Sequence, residues 1–200
     1  MKRIAIFYGT TEGQTSKIAE AIERDLARFG FSATIAPASE EVPWTFRAED
    51  FDGVILGASV HRSRYPEVFR KRVAENVTAI KSRPSAFFSV CLGVLEKDNP
   101  KTQEEERMIV RNFLEPLGLT PVVRTILAGA IRYSKYGLVK KIALHSIAKK
   151  AGVETRMDRD YEFTDWEEVS AFVKKFVESL DENPRGTQKF PVDFEERECL

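Results

Sequence analysis

Residues 4–15 read Ile4-Ala5-Ile6-Phe7-Tyr8-Gly9-Thr10-Thr11-Glu12-Gly13-Gln14-Thr15. The first four form an apolar run of strand length. The middle is a turn of glycines and hydroxyl residues. Beyond the turn, Ile18, Ala19, Ile22 and Leu26 recur at helical spacing and share one face. Strand, turn and helix in that order bring unpaired backbone N–H groups and several hydroxyls to a helix N-terminus, where the helix dipole also favours negative charge. The turn therefore reads as a phosphate cradle. It is not a Walker A loop, because no Gly-Lys-Ser/Thr comes after it. It is not a dinucleotide fingerprint, because Gly9 and Gly13 are its only glycines. The next expected strand, 32–36, lacks the terminal acid that would hold an adenosine ribose. An ordinary βα turn with N-capping hydroxyls is the plainer alternative.

Outward from this stretch, the same alternation continues. Strands are expected at 2–8, 31–36, 53–59, 85–92 and 121–128. A first helix covers 13–28 and stops at Gly30. A second starts at Tyr65-Pro66 with Phe69, Val73, Val77 and Ile80 inward. A third covers 102–117 with Met108, Ile109, Phe113 and Leu117 inward. Residues 39–50, broken by Pro43, are expected to be irregular or a short helix. The last helix opens on a capping box, Thr164 with Glu167, and buries Val169, Phe172, Val173, Phe176 and Leu180. Strands alternating with helices, with 53–59 nearly all apolar, argue for a doubly wound parallel sheet. Residues 1–180 make one domain, with an inserted segment at about 129–163. Residues 181–200 form a tail expected to be flexible, although Phe190, Val192 and Phe194 alternate as an edge strand would.

The 200 residues carry no net charge, so composition implies no bulk attraction to nucleic acid. Charge is unevenly placed, however. Residues 124–153 hold seven Lys/Arg and no acid, and the last twenty hold six acids against three bases. Cys91 and Cys199 do not make a disulfide framework, which fits a reduced, cytoplasmic protein. The N-terminal apolar run is too short for a signal peptide, and no stretch is long enough to cross a bilayer, so any membrane contact is expected to be peripheral. His61 and His145 are too few to argue for a metal site. Residues 137–151, with Leu138, Val139, Ile142 and Ile147 among Lys140, Lys141, Lys149 and Lys150, read as a basic amphipathic helix suited to an anionic membrane surface. A core-covering helix with a solvated lysine face is the alternative.

The first loop resembles the FMN phosphate loop of flavodoxins, Ser/Thr-x-Thr-Gly-x-Thr, matched here by Thr10, Gly13 and Thr15. Glu12 and Gln14 depart from it, and Glu12 is expected to offer only its N–H while its side chain points to solvent. The resemblance implies a flavodoxin-like, five-stranded parallel sheet in the order 2-1-3-4-5, with FMN held beyond the carboxyl ends of strands one, three and four. Thr10, Thr11, Glu12, Gly13, Gln14 and Thr15 would then hold the phosphate. Ser59, Val60, His61, Arg62 and Tyr65 would line the flavin ring from one side, and Cys91, Leu92 and Gly93 from the other, with backbone groups of Val60, His61, Leu92 and Gly93 bonding its edge. Only Tyr65 is aromatic, so the ring is less enclosed than in an electron carrier. Arg62 and Arg64 add positive charge there and are candidates for substrate carboxylates. Arg132 and Lys135, with Tyr133 and Tyr136 as flat surfaces, suit a planar ligand that carries carboxylates.

A narrower resemblance runs through 128–133 (Ala-Gly-Ala-Ile-Arg-Tyr), Tyr161-x-x-Thr164-Asp165-Trp166-Glu167, residues 12–15 and 84–90 (Pro-Ser-Ala-Phe-Phe-Ser-Val). Over about 1–180 the chain is similar to the flavodoxin-type, menaquinone-dependent protoporphyrinogen oxidases. That resemblance implies oxidation of protoporphyrinogen IX to protoporphyrin IX with FMN, in haem synthesis. It also implies electron transfer to a membrane quinone at the cytoplasmic face of the membrane. It points to no protein base as catalyst. An electron-carrier flavodoxin and an NAD(P)H-quinone reductase are the competing readings.

Overall fold

In β1 (Arg3–Gly9) the side chains alternate between two faces, and that alternation builds two cores. Ile4, Ile6 and Tyr8 belong to one, Ala5 and Phe7 to the other. The structure is a computed structural model that describes residues 1–39, 41, 47, 50–150 and 152–182. β1 is joined by β2 (Ser32–Pro37), β3 (Gly53–Ser59), β4 (Ser85–Cys91) and β5 (Val123–Ala128) in one parallel sheet, ordered β2-β1-β3-β4-β5. This is the expected doubly wound, flavodoxin-like order. β4 is buried along its whole length, as a central parallel strand should be.

One face of the sheet is covered by α1 (Gln14–Arg28) and α6 (Trp166–Glu182). The other is covered by α2 (Glu67–Glu75), α3 (Val77–Lys81) and α4 (Pro100–Leu114). Between β5 and α6 the chain makes a small annex. It consists of β6 (Ala130–Ile131), a 3₁₀ turn (Tyr133–Lys135), α5 (Leu138–Lys150) and β7 (Tyr161–Glu162), with β6 and β7 paired antiparallel. Ile131, Tyr133 and Ala148 form a third, separate core there. No helix among the described residues is long and apolar enough to cross a membrane. The expectations for most of 39–50 and for 183–200 lie outside the described residues.

Several boundaries differ from the sequence reading, each for a local reason. The second helix is two helices, α2 and α3, parted at Asn76. Its side-chain amide donates to the Arg72 carbonyl at 2.9 Å and competes with the helical ladder. Helix α4 starts earlier than expected, with Pro100 in its first turn. The Asn99 side chain accepts from the Thr102 N–H. Met108, expected inward, is 42 % exposed; Val110, Phe113 and Leu114 carry the buried stripe instead. At α6 the cap is Asp165, whose Oδ1 accepts from the N–H groups of Glu167 and Glu168. Thr164, expected to do this, has its hydroxyl drawn into a buried network with Gln14 and the Ala128 carbonyl.

The basic helix forms over the expected residues, but its apolar and basic positions do not separate cleanly. Lys141 and His145 lie on the packed side with Leu144 and Ala148. The Lys141 ammonium donates to the Met157 carbonyl and His145 Nδ1 meets the Thr155 hydroxyl. Ile142 is 51 % exposed on the outer side, in line with Ser146 and Lys149.

Candidate functional site

The three loops at the carboxyl ends of β1, β3 and β4 meet at one end of the sheet, beside the strand-order switch where open α/β sheets bind ligands. The first is the hydroxyl-rich turn. Gly13 sits at φ +93°, a conformation that costs glycine little, and from there α1 begins. The Gly13 N–H donates to Thr10 Oγ1 at 2.9 Å, so this amide, expected to face a phosphate, is satisfied within the turn. Thr10 and Thr11 are exposed, and the first turn of α1 holds no acid. Glu12 is half-buried rather than directed to solvent, and it has an interaction of its own.

Thr15 is the telling residue. It is fully buried, and its hydroxyl has no hydrogen-bond partner in the protein. A buried hydroxyl left unpaired costs roughly 1–3 kcal/mol. The Ser59 hydroxyl, at the end of β3, is likewise buried without a partner. Two orphaned hydroxyls, one in the first turn of the helix that leaves β1 and one at the end of the adjacent strand β3, fit a phosphorylated ligand at this end of the sheet. By this test the residues present would suit the FMN that the loop resemblance implies, with Thr15 and Ser59 offering unpartnered hydroxyls.

The second loop is a tight hairpin. His61 and Arg64 form a two-way backbone pair, His61 N–H to Arg64 O at 2.7 Å and Arg64 N–H to His61 O at 3.1 Å. The residues between, Arg62 and Ser63, have φ of 50° and 58°. Both central positions are thus left-handed, as in a type I′ turn, which normally prefers Asn-Gly. Holding two non-glycine residues there stores strain, and strain of this kind gathers at functional loops. The hairpin also removes expected donors. The His61 N–H is used within it and the Val60 N–H is used by the Val90 carbonyl at 2.8 Å. Neither amide is therefore free for a flavin edge. Arg62 and Arg64 are exposed.

Tyr65 leaves the expected ring-facing set. It is only 4 % exposed, with its hydroxyl donating to Ser89 Oγ at 2.9 Å and its ring packed edge-on against Phe87 and Phe113. Burial pushes its phenol well above the ordinary range. The residue is an aromatic core member because α2 starts just after it and turns its side chain inward.

The third loop, Cys91-Leu92-Gly93, tightens into a 3₁₀ turn over Gly93–Leu95. Gln103 braces it from α4, its amide donating to the carbonyl of Glu96 at 3.0 Å. Cys91 is 6 % exposed, and burial, reinforced by the Glu106 carboxylate, pushes its thiol far up, so it is no nucleophile. Glu106 itself escaped the sequence reading, being one of three consecutive glutamates with nothing to single it out. It lies under this loop, its Oε1 against Gly93 and its Oε2 buried without a partner. Burial raises its carboxyl above the ordinary range.

A raised carboxyl means that the folded state holds the proton more tightly than the unfolded chain. Stability from this group is therefore complete at acid pH and is lost as pH rises through the folded value. Glu106→Gln, which removes the ionisation, is expected to raise the melting temperature at pH 7. That gain should vanish below the ordinary carboxylate range, as thermal melts of the two proteins across pH will show.

The annex supplies the remaining expected residues. Tyr133, read as an exposed flat surface, is fully buried with its hydroxyl against Thr155 Oγ1 at 2.8 Å. Tyr136 is half-buried against the annex core. Lys135 lies in the 3₁₀ turn. Arg132 does not offer an open guanidinium. It stands 3.9 Å from Asp160 and from Glu162, and its Nη2 donates to Gln14 Oε1 at 3.2 Å. Glu162 is held below the usual carboxylate range chiefly by its hydrogen bond from Lys17, at 2.9 Å. Gln14, assigned from sequence to the cradle, has its side chain turned away from it, toward Thr164 and Arg132. Sequence spacing carries no trace of these pairs.

The chain is similar to known proteins. A flavodoxin domain family model matches residues 5–158. Protoporphyrinogen IX dehydrogenase (quinone) of Escherichia coli K12 is 32 % identical over 178 residues, covering 88 % of this chain and 95 % of that protein. The Leishmania major protein of the same name is 28 % identical over 173 residues, covering 86 % of this chain and 73 % of its own. Among solved structures, oxidised Flavodoxin 1 from Bacillus cereus superposes with a TM-score of 0.54 at 16 % identity, over 89 % of this chain and 99 % of its own. A flavodoxin from the domain Archaea gives 0.51 at 13 % identity, over 90 % and 99 %. These two likenesses speak for the fold alone.

Proposed function

The chain belongs to the flavodoxin domain family, in the branch of its protoporphyrinogen IX dehydrogenase (quinone) relatives, and from that premise we propose that it is an FMN-dependent oxidoreductase. Its substrate in this reading is protoporphyrinogen IX, oxidised to protoporphyrin IX for haem synthesis, and its electron acceptor is a membrane quinone. The observation that carries the cofactor is the buried, partnerless Thr15 hydroxyl in the first turn of α1. When bound, FMN supplies the electron-accepting centre that none of the side chains here provides. The protein holds its phosphate with Thr10, Thr11 and Thr15 and meets the ring region with Ser59 and the 91–93 turn.

Substrate carboxylates fall to Arg62 and Arg64, which are exposed on the strained hairpin. Arg132 is occupied by Asp160, Glu162 and Gln14. Peripheral contact with the cytoplasmic face of a membrane is assigned to 137–151, supported by Ile142 exposed in line with Lys149 on the outer side of α5. The electron-carrier reading draws on the fold likenesses, which carry function poorly.

The test is anaerobic. The protein is loaded with FMN, protoporphyrinogen IX is added, and flavin absorbance is followed together with porphyrin fluorescence. Flavin bleaching matched by porphyrin appearance is the expected result. Stable FMN binding without bleaching sinks the porphyrinogen assignment, and failure to hold FMN sinks the cofactor.

A further inference from the structure

The side chain of Gln14 is 5 % exposed, and both ends of its amide are bonded. Nε2 donates to Thr164 Oγ1 at 2.9 Å, and Oε1 accepts from Arg132 Nη2 at 3.2 Å. The orientation is dictated by the partners. Arg132 can only donate, and the Thr164 hydroxyl proton is committed to the Ala128 carbonyl at 2.8 Å, so Thr164 must accept from Gln14. Ala128 is the last residue of β5 and Thr164 stands just before α6. They are the two roots of the annex, and one buried amide bridges to both. A second arm leaves the same helix turn three residues on, where Lys17 meets Glu162 of β7 at 2.9 Å. Glu162 is paired in register with Ala130 of β6, close to Arg132.

We infer that Gln14 is a positioning residue that ties the annex to the cofactor loop, so that phosphate binding at the start of α1 and docking of residues 129–163 strengthen each other. The coupling rests on the FMN reading. Its physical basis is that Gln14 serves both structures at once. Its backbone N–H belongs to the first turn of α1, where N–H groups lack intrahelical partners and would meet a phosphate in the FMN reading, while its side chain closes the roots of the annex. Whatever fixes the first turn of α1 fixes the place from which both arms reach. Coupling of this kind is reciprocal, so the factor by which FMN strengthens annex docking must equal the factor by which the docked annex strengthens FMN binding.

Hydrogen exchange of the full chain, with and without FMN, tests this, alongside a separate FMN titration by flavin fluorescence quenching. In the wild type, FMN should slow exchange in peptides covering 129–136 and 160–165 by about tenfold, a typical coupling factor. In Gln14→Leu these peptides should exchange about tenfold faster without FMN and no longer respond to it, with FMN binding weakened by the same factor. Peptides from β1 and β4 should be unchanged. Thr164→Val should reproduce the effect, and Thr164→Ser, which keeps the hydroxyl, should not. Annex peptides that exchange alike in Gln14→Leu and wild type, or that still respond to FMN in both Gln14→Leu and Thr164→Val, overturn the inference. Absence of quenching in the wild type overturns the FMN reading instead. The exchange rates of the FMN-free variants then still decide the tether.

Discussion

Thr15→Val should weaken FMN binding by about 10- to 100-fold while leaving the FMN-free protein at least as stable as before. The two substitution effects have opposite signs because the hydroxyl is buried and has no partner in the protein alone. A hydrogen bond to a charged group is worth about 1.5–3 kcal/mol, and that is what a phosphate oxygen would lose. Without the ligand, the hydroxyl is a desolvated donor with no acceptor. A methyl of similar size removes that penalty, so the unfolding free energy should rise by up to about 1 kcal/mol. Valine and threonine have nearly equal helix propensity, so α1 contributes little to the difference.

Thermal melts check both halves at once. A ligand at 100 times its Kd stabilises a fold by about 2.7 kcal/mol, and a hundredfold weaker site at the same concentration would retain about 0.4 kcal/mol. The FMN-induced rise in Tm should therefore fall to about half or less in the variant, since even a tenfold weaker site retains only about 1.4 kcal/mol. Riboflavin, which lacks the phosphate, should bind wild type and variant alike. A variant that loses riboflavin as well, or that melts lower without ligand, would falsify the placement of Thr15 against a phosphate.

Gly57→Ala should destabilise the fold by about 3 kcal/mol, the upper part of the usual overpacking range. Gly57 lies in the middle of β3, where a Cβ would stand 2.0 Å from Phe88 Cζ and 2.1 Å from Cε1, overlapping the tip of the ring. The ring cannot simply swing aside. Phe88 is fully buried and packs edge-on against Phe172 of α6, with centroids 6.0 Å apart. The strand cannot retreat either, because β3 is bonded to β1 on one side and β4 on the other. For a chain of this length each kcal/mol moves Tm by about 2–4 °C, so a fall of about 6–12 °C is expected. Phe88→Leu in the alanine background should recover part of the loss, giving a favourable coupling in a double-mutant cycle. Purely additive effects would show that the clash is relieved elsewhere.

Much of the architecture is present in the sequence because it is local. The apolar run of β1, the nearly all-apolar β3, and the helical stripe of Ile18, Ile22 and Leu26 each reveal an element within a window of a few residues. The βα alternation then leaves few topologies, and the observed sheet order is one of them. The hydroxyl-rich turn was legible for the same reason. Its donors and the start of α1 are neighbours in sequence, so residue types alone bring Thr10 and Thr15 to one helix end.

Side-chain partners were decided by the tertiary structure. Whether Gln14 faces a ligand or the annex depends on Thr164 and Arg132, which lie 150 and 118 residues away. Thr164 read as a helix cap because a capping box is a local pattern. It became a buried link because the Ala128 carbonyl, 36 residues back, stands beside it and a buried carbonyl must be paired. Tyr65 read as a ring lining the flavin and Tyr133 as a flat surface for a planar ligand, because each sits beside a loop of the expected site. Phe87 and Phe113 claimed one and Thr155 the other, since an aromatic gains most where its ring is buried and its hydroxyl still finds a partner. Sequence by itself determined the sheet, its helices and the place of the hydroxyl-rich turn, because periodicity and propensity act over short stretches. Which hydroxyl stays unpaired, and which amide instead bonds the roots of the annex, only the tertiary structure decided, because buried polar groups are paired by whatever the fold brings within about 3 Å.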